Sequence, residues 1–192
     1  MAAILKPLYG TIASRMLREL HAELGIADDY GRATDQPVFY EAIEMVDVGP
    51  NLVGRMQKLT PDTADSWHSM VAAAVADEIS LMIVSGFRSI EYQAALIRKK
   101  IEAGQRIADI LEVNTAPGYS EHHTGRAVDI ATPGSRPLTE DFETTDAFRW
   151  LQAEAAGFGF EMTYPRDNPW GIIYEPWHWS TKEGQKGRKK RA

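Results

Sequence analysis

The chain of 192 residues contains no cysteine. That absence excludes disulfides, a thiol nucleophile and any thiolate-bound metal, so a metal site here must be built from histidine and carboxylate. No uninterrupted apolar run reaches the 18 or so residues of a membrane span. The first residues, Met1-Ala2-Ala3-Ile4-Leu5-Lys6-Pro7, lack the basic and continuously apolar regions of an export signal. The expectation is a soluble chain that stays in the cytoplasm, or one of the cell envelope if an export signal has been removed. Internal repeats and low-complexity segments are also missing before the tail. Positive charge is scarce in the body: Lys182 to Ala192 carries six basic residues against one acidic, leaving 15 basic against 26 acidic in residues 1–181. An acidic body repels a phosphate backbone, so nucleic acid is not an expected partner, and residues 182–192 read as a solvated, disordered tail.

With 44% hydrophobic residues and 15 glycines, the rest is enough for one well-cored globular domain. The expected division is an N-terminal helical elaboration over 1–50, a catalytic body over 51–181 and the tail, with Gly49-Pro50-Asn51 as a linker.

Two stretches carry chemistry. Ser120-Glu121-His122-His123-Thr124-Gly125-Arg126-Ala127-Val128-Asp129 offers an imidazole and a carboxylate, the ligands a divalent zinc ion takes from a protein without cysteine. Gly125, Ala127 and Asp129 alternate with Arg126, Val128 and Ile130, the period of a strand whose small-residue face leaves room beside Asp129. Spacing alone leaves open that His122 and His123 are polar loop residues. Glu175-Pro176-Trp177-His178 adds a second imidazole after a carboxylate that can serve as base. On a straight strand Glu175 and His178 would face opposite ways, so Pro176 has to bend the chain.

Periodicity supplies the scaffold. Ile12, Met16, Leu17, Leu20 and Leu24 predict an amphipathic helix over 11–25. Thr60-Pro61 predicts a helix start followed by a buried stripe of Trp67, Met70, Val71, Ala74, Val75 and Ile79, with His68 at the surface. A strand over 81–84 delivers Ser85-Gly86-Phe87-Arg88-Ser89, with Ser89 as cap of a helix that buries Tyr92, Ala95, Leu96 and Ile101 and ends at Gly104. Arg88 at that strand end suits capture of a carboxylate, or pairs with one of the body's acids. Gln93 either faces the same cleft or is solvated. Residues 107–113 read as a short helix or strand. Thr145 caps a helix expected to stop at Gly157, and strands over 158–164 and 172–174 are expected to pair as a hairpin.

Ser120, His122, Gly125, Ala127 and Asp129, followed by Glu175-Pro176-Trp177-His178 and preceded by Ser85-Gly86-Phe87-Arg88-Ser89 with Gln93, resemble the motifs of the VanY-type D-alanyl-D-alanine carboxypeptidases, zinc peptidases of the bacterial cell wall. The resemblance covers about residues 52–179. It implies an α+β fold, a small antiparallel sheet flanked by helices as in Hedgehog-like domains. It implies Zn2+ held by His122, Asp129 and His178, with Glu175 as general base. Arg88, Ser120 and Gln93 would bind substrate, Arg88 and Ser120 at its terminal carboxylate. His123 stands where relatives often carry Gln, leaving it a competing ligand or substrate contact. Ser180 stands where Arg is common, which bears on the pairing of the last strand. The expected reaction is release of the terminal residue from D-Ala-D-Ala stem peptides of peptidoglycan. An L,D-carboxypeptidase, an L-alanyl-D-glutamate endopeptidase and a non-catalytic peptidoglycan-binding module are the alternatives. Glu175 speaks against the last, because a structural zinc site fills its fourth position with protein and has no use for a base.

Overall fold

A computed structural model describes residues 15–32 and 35–182 of the chain. In chain order these form helix α1 (15–24), strands β1 (Val46–Pro50) and β2 (Met56–Leu59), helix α2 (Pro61–Ala76), strand β3 (Met82–Ser85), helices α3 (Ile90–Glu102) and α4 (Ile107–Val113), strand β4 (Ala127–Ala131), helix α5 (Asp146–Glu154) and strands β5 (Phe160–Met162) and β6 (His178–Thr181). Every strand pairing is antiparallel, so the class is the expected α+β. No described helix is long and apolar enough to cross a membrane. Ile12 and nearly all of the basic tail lie outside the described residues.

The described residues form two compact units. One unit comprises residues up to Phe39 together with Ser89–Ser120; the other comprises Tyr40–Arg88 and Glu121 onward.

In the first unit, Leu24, Ile26, Ala94, Ile97, Ile110 and Ala116 are buried together, with Leu20, Tyr30 and Tyr119 against them. Met16, expected inside, is 64% exposed. The Ser89 hydroxyl accepts from the Tyr92 amide at 3.0 Å and caps α3 as predicted. The buried positions of α3 are Gln93, Ala94 and Ile97, whereas Tyr92, Ala95 and Ile101 are exposed. The real face is rotated from the predicted stripe because Ala94 and Ile97, not Tyr92, meet α4 and the Leu24 segment.

In the second unit, Gly49-Pro50-Asn51 is no linker but the end of β1 and the turn into β2. Asn51 Oδ1 accepts from the amides of Val53 (3.1 Å) and Arg55 (3.0 Å), closing the hairpin locally. Helix α2 starts at Pro61 after Thr60, whose hydroxyl donates to Thr63 Oγ1 at 2.9 Å rather than capping a backbone amide. It buries Ala64, Trp67, Met70 and Ala74, while Val75, expected inside, is 63% exposed. The four-stranded sheet runs β3-β4-β6-β5. Its central strand β4 is buried at all five positions, so it is covered on both faces. Val128, Ile130, Leu59, Phe142, Leu151, Phe160 and Trp179 share one core, in which each large side chain contributes roughly 1.5–3 kcal/mol of apolar burial.

Two further expectations are corrected. Helix α5 is capped by Thr145, which accepts from the Phe148 amide at 3.1 Å, but it runs through a 3₁₀ turn and ends at Gly159 with φ 83°, not at Gly157. Residues 172–174 form no strand, and β5 pairs instead with β6. The reason is Asn168: its Nδ2 donates to the carbonyls of Pro165 (3.0 Å) and Ile172 (2.6 Å), and its Oδ1 accepts from the amides of Trp170 (3.3 Å) and Ile172 (3.2 Å). Those backbone groups are thereby taken from any ladder. Ser180 sits in both ladders of β6, opposite Ala127 and Glu161, so the strand pairs without an arginine there.

Candidate metal centre

The sheet register makes the site. On β4 and β6, Asp129 and His178 are cross-strand partners, and Ser85 at the end of β3 lies opposite Asp129 on its other side. The 3₁₀ turn Glu121–Thr124 brings in His122. Gly125 ends that turn with φ 64°, and a Cβ there would come within 3.3 Å of the Thr60 amide, so the close crossing requires glycine. Glu175 and His178 meet because residues 176–177 make a tight turn, the His178 amide donating to the Glu175 carbonyl at 3.0 Å. The predicted bend at Pro176 is present.

His122, Asp129 and His178 each offer a ligand atom, all within 4.8 Å of one another and all buried. His122 Nε2 is 3.1 Å from Asp129 Oδ2, and His178 Nδ1 is 3.0 Å from Asp129 Oδ1. A tetrahedral ion with bonds of about 2.0–2.1 Å sets its ligand atoms roughly 3.3 Å apart, close to both separations. The outer nitrogens are also held. His122 Nδ1 lies 2.7 Å from the Gly86 carbonyl, and His178 Nε2 lies 2.9 Å from Glu121 Oε2. A carbonyl only accepts, so Nδ1 of His122 carries a hydrogen and Nε2 is the nitrogen turned to Asp129. Burial lowers the His122 pKa, with Arg88 and His178 adding to the effect against the pull of Asp129. The donor set, its spacing and the oriented rings therefore fit a divalent zinc ion.

Around this set the charges are arranged with care for sign. Burial opposes ionisation of Asp129, but His122 and His178 outweigh it and hold the carboxyl well below the ordinary range. Burial disfavours the His178 imidazolium, yet Asp129 and Glu121 raise its pKa to about 10. Glu175 Oε2 stands 3.8 Å from His178 Nδ1. Burial pushes the Glu175 carboxyl up to about 7, with Asp129 and Glu121 adding to the rise and His178 and Arg88 opposing it. Arg88 Nη2 is 3.7 Å from Asp129 Oδ2 and 3.5 Å from Ser85 Oγ.

His123 is not in the ligand set. It is fully buried, and its Nδ1 donates to the Arg88 carbonyl at 2.5 Å. Burial lowers its pKa to about 4, so it stays neutral. Together with the Arg88 amide donating to the His122 carbonyl at 3.1 Å, this bond fastens the Arg88 turn to the ligand-bearing turn. The structure thus brings His122, Asp129, His178, Glu175 and Arg88 together in the second unit. Ser120 and Gln93 belong to the first. Ser120 is 4% exposed, and Gln93, far from solvated, is fully buried with Nε2 donating to the Thr115 carbonyl at 2.7 Å. The residue that sequence reasoning missed is Glu121, whose only signal was its place beside His122.

The family profile described as VanY, D-alanyl-D-alanine carboxypeptidase, matches residues 56–182. The chain belongs to the VanY family. Among curated relatives, YodJ of Bacillus subtilis (strain 168) is 33% identical over 150 residues, covering 74% of this chain and 54% of that protein. The chain spans about half, or less, of the length of such relatives. Among solved structures, the LdcB LD-carboxypeptidase is 30% identical, with 76% of this chain and 71% of that one superposed at a TM-score of 0.66. A vancomycin-resistance D,D-pentapeptidase VanY in complex with Zn(II) is 25% identical, covering 76% and 82%, at a TM-score of 0.58.

Proposed function

We propose that this VanY-family chain is a zinc-dependent carboxypeptidase that hydrolyses the terminal D-Ala-D-Ala bond of peptidoglycan stem peptides. One observation carries the reading: a half-buried carboxylate, Glu175, stands 3.8 Å from His178 Nδ1 yet outside the His-Asp-His set. A purely structural centre would use such a group as its fourth ligand or dispense with it.

His122 Nε2, a carboxylate oxygen of Asp129 and His178 Nδ1 would hold the ion. When bound, zinc lowers the pKa of a water molecule and polarises a carbonyl oxygen. Glu175 takes the proton of the attacking water and returns it to the leaving amine; in the metal-free chain burial raises its pKa to about 7. Asp129, kept ionised, carries the negative charge that retains the cation. Arg88, fastened by its backbone to His122 and His123, presents a permanent charge for the free carboxylate of the substrate.

A second reading, an L,D-carboxypeptidase on tetrapeptide stems, is favoured by the higher TM-score to LdcB, 0.66 against 0.58. Incubating the zinc-loaded protein with pentapeptide and tetrapeptide stems and weighing the products by mass spectrometry separates the two. Loss of one D-Ala from the pentapeptide alone supports the first reading. Turnover of neither stem overturns both.

A further inference from the structure

The catalytic reading assigns no part to Glu121, yet this carboxylate is 14% exposed and makes two short bonds. Its Oε2 lies 2.9 Å from His178 Nε2 and accepts from Thr163 Oγ1 at 2.6 Å. A buried carboxylate costs several kcal/mol unless its bonds offset the loss of water. Because the Thr163 hydroxyl donates to Oε2, this oxygen is an acceptor in both of its bonds. His178 Nε2 must then carry a hydrogen, which leaves Nδ1 as the nitrogen available to an ion. Tyr164, next to Thr163, lays its ring against the face of His178 with centroids 4.6 Å apart. The His178 ring is thereby fixed at its outer edge through Glu121 and on its face by Tyr164.

We propose that Glu121 is the positioning residue of the metal centre, fixing which nitrogen of His178 faces the ion, and that Thr163 locks Glu121 in that role. The inference rests on the reading of His122, Asp129 and His178 as a zinc site. It ties the centre to the segment leading from β5 towards Glu175, since Thr163 and Tyr164 belong to that segment. Outer carboxylates of this kind typically contribute about 10–100-fold to metal affinity.

The test uses the full chain and zinc alone. Zinc dissociation constants are measured by competition with a chromogenic chelator for the wild type, Glu121→Ala, Glu121→Gln and Thr163→Val. Imidazole N–H signals of the zinc-loaded proteins are followed by nitrogen-15 NMR. Glu121→Ala is expected to weaken zinc binding about 10–100-fold and to lose the His178 Nε2–H signal. Glu121→Gln, which keeps an acceptor oxygen without the charge, is expected to retain the signal and recover part of the affinity. Thr163→Val is expected to weaken binding a few-fold, by roughly one neutral hydrogen bond. Should Glu121→Ala fail to fold, the other two variants carry the test. Wild-type zinc affinity within twofold in Glu121→Gln and Thr163→Val, with an unchanged ring signal, overturns the inference alone. A wild type that binds no zinc overturns the centre and the inference together.

Discussion

In the proposed zinc centre a proton competes with the ion for His178 Nδ1, and the competition has a definite size. In the metal-free protein Asp129 and Glu121 flank the ring at 3.0 and 2.9 Å and raise its pKa to about 10 despite burial. At pH 8 the imidazolium then outnumbers the neutral ring by about a hundred to one, a handicap near 3 kcal/mol for any ion that needs the lone pair. Apparent zinc affinity should rise about tenfold for each pH unit between 7 and 9, with close to one proton released per ion bound. Calorimetric titration in two buffers of different ionisation enthalpy counts the proton, and chelator competition at several pH values gives the slope. Stability follows the same sign. An unfolded histidine titrates near 6.5, so the contribution of His178 to the metal-free fold is complete below that pH and is lost as pH rises towards 10. Glu175, raised from about 4.5 to about 7, acts in the same direction over its own lower window. The zinc-loaded protein should not show the alkaline loss. A zinc affinity flat from pH 7 to 9, with no proton released, would refute the assignment of Nδ1 as the ion-facing nitrogen held between two carboxylates.

Three other outcomes are expected. Glu175→Gln should lower kcat by about 10²–10⁴ while leaving zinc affinity near wild type, as measured by stem-peptide turnover beside chelator competition. Arg88→Ala should reduce kcat/KM about tenfold or more for stems with a free terminal carboxylate, a loss of roughly 1.5–3 kcal/mol. The same variant should make little difference to an amidated stem, and equal losses on both substrates would remove Arg88 from substrate recognition. Gly86→Ala would place a Cβ 2.7 Å from the Lys58 carbonyl, and the Gly86 carbonyl is the one that holds His122 Nδ1. Thermal melting should show a loss of about 1–3 kcal/mol together with weakened zinc binding.

The residues that converge at the candidate metal centre were readable because their geometry is local to short motifs. Asp129 sits on a strand announced by its alternation, and Pro176 had to bend the chain for Glu175 to reach His178. What sequence could not give was the pairing of distant segments. Residues 172–174 look like a strand by composition, yet Asn168 occupies their backbone groups, and only the fold reveals that β5 belongs beside β6. The slip of the buried face of α3 from Tyr92 to Ala94 has the same origin, since the partner elements decide which side of a helix turns inward. Gln93 was left open between a cleft-facing and a solvated side chain because nothing local predicts a buried amide that meets the Thr115 carbonyl. Glu121 was passed over because an acid next to a ligand in sequence looks the same as a surface acid until His178 arrives from 57 residues away.

Because Asp129 and His178 are rungs of one ladder, their spacing is set by the pleat and not by the length of chain between them. Changes confined to the exposed turns within residues 132–177, away from the buried Phe142, Leu151 and Phe160 and from Thr163, Tyr164 and Glu175, would reshape the surroundings of the site without altering that spacing. A slip of β6 by a single residue would instead turn His178 to the opposite side of the sheet. Variation between related proteins should therefore gather in that excursion, where new specificities can arise while the metal cradle stays as it is.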